Sequence, residues 1–98
     1  MPEHVTIRPA HPGDALALAR LATLDDKPVP VGKVLLAEVR GEPWAAFEVA
    51  GGAHVADPFR PSGELVELLR VRAELLQGER SPRRAGLLRR RRRALRIA

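Results

Sequence analysis

Residues 34–49 read Val-Leu-Leu-Ala-Glu-Val-Arg-Gly-Glu-Pro-Trp-Ala-Ala-Phe-Glu-Val, and this stretch decides the fold. The run Val34–Val39 is almost wholly apolar, which is typical of a largely buried strand. Gly41 lies within the turn Arg40–Pro43, and the segment Trp44–Val49 carries apolar residues at alternate positions on one face. The sequence therefore predicts a β-hairpin here.

A strand and a helix are predicted before the hairpin. Val5–Arg8 alternates apolar with polar residues and meets Pro9, which has no backbone donor and is expected to stop the strand. Asp14 is placed to cap a helix that ends near Asp25 and Asp26. The apolar face of this helix is formed by residues at the helical spacing, namely Ala15, Leu18, Ala19, Leu21 and Ala22.

A short strand and a second helix are predicted after the hairpin. The segment between the first helix and the hairpin, residues 27–33, contains two prolines and a glycine and is expected to be an extended connection. A glycine pair at 51–52 turns the chain into a fourth strand, His54–Ala56. Ser62 is expected to cap the second helix and Gly78 to end it. The apolar stripe of that helix is predicted to be Leu65, Leu68, Leu69, Leu75 and Leu76.

The order of these elements gives the fold class. Strand, helix, three strands and helix predict an α+β domain, in which a small, mostly antiparallel four-stranded sheet is covered by two helices. A chain of 98 residues has room for one such core and no more.

The basic residues are concentrated in the last fifth of the chain. The formal net charge is +5, yet residues 1–78 hold 8 Lys and Arg against 11 Asp and Glu, whereas residues 79–98 hold 9 Arg and a single acid. The first part is therefore net −3 and the second net +8. We expect residues 1–78 to form the folded domain and residues 79–98 to be an arginine-rich tail that is disordered or partly helical.

The first half of the chain resembles a known family. The stretch Val5-Thr6-Ile7-Arg8-Pro9-Ala10, followed by Gly13-Asp14-Ala15, is similar to the first strand and helix of GNAT-type N-acetyltransferases. Residues 34–43 are similar to the second strand and hairpin of that family. The resemblance covers residues 4–77 and implies a truncated acetyltransferase fold, because members of the family continue with a fifth strand, a further helix and a hairpin.

The resemblance also implies a place for acetyl-CoA. In the family, an Arg/Gln-x-x-Gly-x-Gly/Ala loop before a helix binds the pyrophosphate. Arg60 and Gly63 match that loop as a weak remnant, whereas Leu65 departs from it. Pro61 removes an amide donor and Glu64 adds a negative charge beside the expected phosphate. The prediction is that no cofactor binds, with acetyl-CoA as the alternative.

No catalytic residue and no metal site are predicted. The chain has no cysteine, which excludes thiol catalysis, and no tyrosine to serve as the general acid that the resemblance implies. The available general bases are Glu38, Glu48, His54 and Asp57, and none is predicted to be catalytic. The two glutamates are expected to face solvent, and His54 is expected to be an ordinary surface group. The three histidines share no metal-ligand spacing.

The arginine-rich tail is predicted to bind polyanions. Nucleic acid is the first candidate partner, and an anionic membrane surface is the second, because the leucines of the tail would insert if it became helical. A solvated tail with no function is the alternative. The predicted anion-binding residues are Arg83, Arg84, Arg89, Arg90, Arg91, Arg92, Arg93 and Arg96.

Three function classes follow from these observations. The first is a truncated acetyltransferase-like domain without catalysis of its own, which acts as a binding module. The second is a small nucleic-acid-associated protein, and the third is an acetyltransferase completed by dimerisation. The open sheet edge where the family has its fifth strand is where a second copy or a protein partner would pair. The absence of cysteine, of a signal-peptide core and of a long apolar run favours the cytoplasm.

Overall fold

A computed structural model describes residues 4–80 of the chain. It is an α+β structure with one antiparallel sheet of four strands in the order β1-β2-β3-β4, and two helices. The predicted fold class is confirmed to that extent. The strands and helices, in chain order, are β1 Val5–Pro9, α1 Ala15–Asp25, β2 Val34–Val39, β3 Glu42–Glu48, β4 His54–Ala56 and α2 Gly63–Arg80.

The hairpin between β2 and β3 is tighter than the sequence predicts. Val39 pairs with Glu42, so that only Arg40 and Gly41 form the connection. Both have positive φ, 54° and 82°, as a two-residue type I′ connection requires. β3 therefore begins at Glu42, two residues before the predicted strand. Only a glycine adopts this backbone without strain at position 41.

The two helices lie on opposite faces of the sheet. Alternate residues of β2 point to opposite sides, and they belong to two separate core clusters. The α2 side is the larger cluster, and its buried members include Leu35, Ala37, Phe47, Leu65 and Leu69. The α1 side is built from Leu21, Ala22, Val34, Leu36, Ala46 and Val55.

β1 is an edge strand that includes Pro9, which the sequence predicted to lie beyond its end. The register explains this difference. The N–H of Ala10 donates to the carbonyl of Val34, and the N–H of Arg40 donates to the carbonyl of His4. The even-numbered residues of β1 therefore bond to β2, and the backbone of Pro9 faces outward. A proline at that position removes no hydrogen bond from the sheet.

The predicted start of α1 directly after Asp14 is confirmed, whereas the predicted end of α2 at Gly78 is wrong. Residues 12–14 form a short 3₁₀ turn capped by His11, and the carboxylate of Asp14 makes no cap bond to α1. Gly78 is a helical residue without positive φ, since α2 continues to Arg80. α1 does end as predicted, because Asp26 adopts the left-handed conformation that closes a helix.

The two predicted apolar stripes are only partly buried. In α1, Leu21 and Ala22 are buried, whereas Ala15 and Ala19 are exposed. In α2, Leu75 was predicted to be in the core and is 55% exposed. The buried face of α2 is formed by the predicted Leu65 and Leu69 together with Val66 and Ala73, which were not predicted.

Among residues 4–80, neither helix has the length and apolar character needed to cross a bilayer. The predicted anion-binding arginines, from Arg83 to Arg96, lie outside the described residues.

Candidate functional site

The loop between β4 and α2 is closed by its own polar groups. The carboxylate of Asp57, which is 3% exposed, accepts a hydrogen bond from the N–H of Phe59 at 2.8 Å and lies 3.7 Å from the guanidinium of Arg20. The hydroxyl of Ser62 is placed to donate a hydrogen bond to the backbone carbonyl of Asp57 at 3.0 Å or to that of Arg60 at 3.3 Å. Ser62 therefore stabilises the loop by joining its last residue to its first.

The structure places Arg60 at this loop but turns its side chain to the hairpin. Its guanidinium donates to Oε1 of Glu42 at 3.1 Å and stacks 5.4 Å from the ring centroid of Trp44. Cation–π stacking and a carboxylate partner together hold the positive charge against β3. An anion at the start of α2 would have to compete with Glu42 for this group.

Gly63 and Leu65, the other two positions of the implied coenzyme loop, have different surroundings. Gly63 is exposed at the start of α2, and a Cβ added there would meet nothing within 4 Å. Leu65 is fully buried in the core. The departure from the family pattern at Leu65 is thus explained by packing, because its bulk fills the space between α2 and the sheet. Arg60 lies in the loop and Gly63 begins α2, and the guanidinium of Arg60 is held by Glu42 and Trp44 on β3.

The four candidate general bases are used in structural contacts. Oε1 of Glu38 accepts from the guanidinium of Arg8, and Oε2 of Glu48 accepts from the N–H of Val31 at 3.0 Å. The ring of His54 stacks on Phe47 with 6.0 Å between centroids. Asp57 holds the loop described above. These four residues lie on three different strands and one loop, and each makes one of the contacts given above.

Within residues 4–80, no three histidine, aspartate or glutamate side chains converge closely enough to hold a metal ion.

A charged cluster on the α1 side of the sheet was missed by the sequence reasoning. The guanidinium of Arg8 binds both carboxylate oxygens of Asp14 at 2.8 Å, and its Nε donates to Glu38 at the same distance. The N–H of His11 also donates to Asp14. The Arg8 hydrogen bonds and the His11 amide hold the pKa of Asp14 well below its usual range, and Asp14 and Glu38 raise the pKa of Arg8. The cluster joins β1, β2 and the turn before α1.

The Asp14→Asn variant is expected to lose part of the acid sensitivity of the fold. Because the pKa of Asp14 is lower in the folded chain, its ionised form stabilises the protein at pH values above the ordinary aspartate pKa of about 4. That stabilisation is lost as the pH falls below this value. The variant should unfold more easily at neutral pH, and its free energy of unfolding should fall less steeply between about pH 4 and pH 2. Urea unfolding across this range measures both effects.

Asp26→Asn is the matched control for that experiment, since Asp26 is an exposed residue at the other end of α1. It keeps the Arg8–Asp14 pair and should keep the steep acid loss. Equal slopes in the wild type and Asp14→Asn would show that the pair does not couple folding to pH.

An apolar groove runs between β1 and α2. We call it the β1–α2 groove, and it is lined by Val5, Ile7, Leu68, Val71, Arg72 and Leu75. Val71 and Leu75 are 54% and 55% exposed. The α2 side of this groove could have been predicted from the sequence, because positions 68, 71, 72 and 75 share one face of a helix, next to the buried face of α2. Leu68 and Leu75 were predicted to be in the core, and no role was predicted for Val71.

Comparison of the chain with protein-family models, with curated proteins and with solved structures found no match. The functional interpretation therefore depends on the residues and their geometry.

Proposed function

We propose that residues 4–80 form a GNAT-like domain that acts as an interaction module and transfers no acetyl group. The β1–α2 groove carries this proposal, because it exposes two large aliphatic side chains of one helix beside a sheet edge. Exposed apolar surface that is contiguous and next to polar groups is typical of a binding surface. The resemblance supports the fold part of the proposal through the order of the elements and the position of the hairpin.

The absence of catalysis is proposed from the contacts of the candidate groups. Arg60 is held by Glu42 and Trp44, and Leu65 fills the core where the family pattern has a minimal residue. The candidate bases each stabilise a turn, a strand or a ring contact. A base that acts on an amine must instead be within hydrogen-bond reach of it.

The purified chain is expected to leave acetyl-CoA unconsumed above the nonenzymatic rate with a panel of primary amines. Its melting temperature should also not rise when acetyl-CoA is added, because a ligand that binds the folded state alone would raise it. Turnover that disappears in Arg60→Ala or Gly63→Trp would contradict the proposal. Turnover together with a doubled mass would favour the alternative, an acetyltransferase completed by dimerisation.

The interaction itself is tested with a groove variant. The double variant Val71→Ser/Leu75→Ser removes apolar surface from the groove, and Leu16→Ser removes it from α1, where Leu16 is 87% exposed. A partner captured from the source cells by the wild type, then identified and purified, should bind the Leu16→Ser chain and not the double variant. Equal binding to both variants, with unchanged melting temperatures, would exclude the groove as the binding surface.

A second proposed function is binding of polyanions by the arginine-rich tail. It is supported by the division of charge, with net +8 in residues 79–98 and net −3 in residues 1–78. The two functions are compatible, since they use different parts of the chain.

A further inference from the structure

The outer edge of β1 presents backbone groups that pair with no other strand of residues 4–80, next to the β1–α2 groove. β1 is paired with β2 alone among the strands of residues 4–80. Since its even-numbered residues bond to β2, the N–H and carbonyl groups of Val5 and Ile7 point outward. The carbonyl of Pro9 accepts from Arg8 at 3.2 Å. The open edge is therefore short and centred on Val5 and Ile7.

The side chains of the same two residues line the groove. Val5 and Ile7 lie on the α2 side of the sheet and pack against the larger core cluster. A strand added beside β1 would place every second side chain on that side, between Val5 and Ile7 and the exposed Val71 and Leu75. The backbone edge and the apolar groove are thus two parts of one surface, which matches the requirements of strand addition.

Arg72 supplies the charge that selects the partner. It lines the groove, and its guanidinium makes no ion pair with a carboxylate whose position the structure describes. A cation beside apolar side chains favours a ligand that brings a carboxylate on the same face. Arg8 lies on the opposite face of the sheet, where it is bound to Asp14 and Glu38.

The same charge disfavours two other occupants. Residues 83–96 of this chain carry eight arginines and would bring like charge to Arg72. A second copy paired through β1 about a two-fold axis would join the two grooves, and with them the two Arg72 side chains.

We propose that the β1–α2 groove binds an extended segment of a partner protein as a strand beside β1, with apolar residues and one Asp or Glu on the face towards α2. The inference rests on the proposed function and names the partner class for the same groove. Main-chain bonds to Val5 and Ile7 would give the segment its register. Val71, Leu75 and Arg72 would select its side chains.

The experiment begins with selection from a library of displayed random decapeptides on the immobilised full-length chain, in the presence of heparin to occupy the tail. The enriched peptides should have apolar residues at alternate positions and a carboxylate in the same alternating set. A synthetic copy of an enriched peptide should shift the backbone amide resonances of Val5 and Ile7 and slow their hydrogen exchange. Val5→Pro removes one outward donor and should weaken binding more than Val5→Ala, which keeps it.

Arg72→Gln should lower the affinity for this peptide roughly tenfold or more, as the loss of a hydrogen bond to a charged group does. Arg70→Gln is the matched control. It removes the same charge from α2, but Arg70 pairs with Glu67 and lies 5.6 Å from the ring centroid of Phe47, outside the groove. Its affinity for the peptide should equal that of the wild type.

Three results would overturn the inference. Apolar residues three and four apart in the enriched peptides would mean that a helix occupies the groove, which leaves the proposed interaction module intact. Acidic runs that bind Arg72→Gln as well as the wild type would place binding on the tail. Slow exchange at Val5 and Ile7 in the free chain would mean that the edge is covered by a second copy or by another part of the chain, and the mass in solution distinguishes these two.

Discussion

The Leu69→Ala variant is expected to lower the free energy of unfolding by about 2–5 kcal/mol, the range found when a buried leucine is cut to alanine. Leu69 is 0% exposed and lies in the middle of α2, in the same core cluster as Leu35 and Phe47. The lost contacts and the remaining cavity both contribute, because a packed interior relaxes only partly around a missing side chain. Small domains have only about 5–15 kcal/mol in total, so urea unfolding should show a large shift in midpoint.

Leu75→Ala on the same helix is the matched control. Leu75 is 55% exposed on the groove side of α2, and its truncation should cost less than about 1 kcal/mol. The pair of variants therefore separates the face of α2 that holds the fold from the face that is free for binding. Equal losses for the two leucines would contradict this assignment, since they would mean that Leu75 is buried in solution.

The strands could be predicted because each has an independent local signal. Val34–Val39 is apolar on both faces, and the structure covers both faces, one with each helix. The left-handed residues Arg40 and Gly41 then set the register of the hairpin. Pro9 was misplaced for a reason that sequence cannot supply. Whether a proline fits in a strand depends on which way its missing donor points, and that is decided by the pairing with β2.

The buried faces of the helices were predicted less well than the strands. Periodicity shows which side of a helix is apolar, but it does not show how much of that side the sheet buries. In α2 the apolar residues span more of the circumference than four strands cover, so Leu75 is left exposed while Leu69 is buried. Sequence spacing does not distinguish these two leucines, since both lie on the apolar side. The exposed part of this apolar side of α2 lines the β1–α2 groove, which is the candidate binding surface.

The charged cluster and the loop arginine show a second limit of sequence reasoning. Arg8 and Glu38 occupy polar positions of alternating strands, which are expected to face solvent. Their pairing with each other and with Asp14 depends on the register of β1 and β2. Arg60 was identified from a family pattern, yet its partner Glu42 lies 18 residues away on β3. A sequence motif identifies the position of such an arginine, but it does not show which carboxylate the guanidinium will pair with.

Replacing Arg89–Arg93 by glutamine is expected to lower the magnitude of the salt dependence of nucleic-acid binding by about 3 to 4 in the log–log slope. Each duplex phosphate contact contributes roughly −0.9 to that slope through the release of counterions, and not every arginine makes a contact. Over a tenfold range of salt, the affinity of the wild type should then fall by a factor roughly 10³ to 10⁴ larger than the factor for the variant. Titrations with one DNA duplex at several salt concentrations measure the slope.

The control variant removes arginines from the folded domain instead. Arg60, Arg70 and Arg72 are replaced by glutamine together, and the slope should stay unchanged, because residues 1–78 are net −3 and weakly repel phosphate. DNA, RNA and heparin should also compete for the tail to similar degrees, since it has no aromatic side chain to stack on bases. A strong preference for one base sequence would place recognition on the folded domain. A salt slope that falls in the control variant and not in the tail variant would do the same. The charge on residues 79–98 would then not be what brings the chain to nucleic acid.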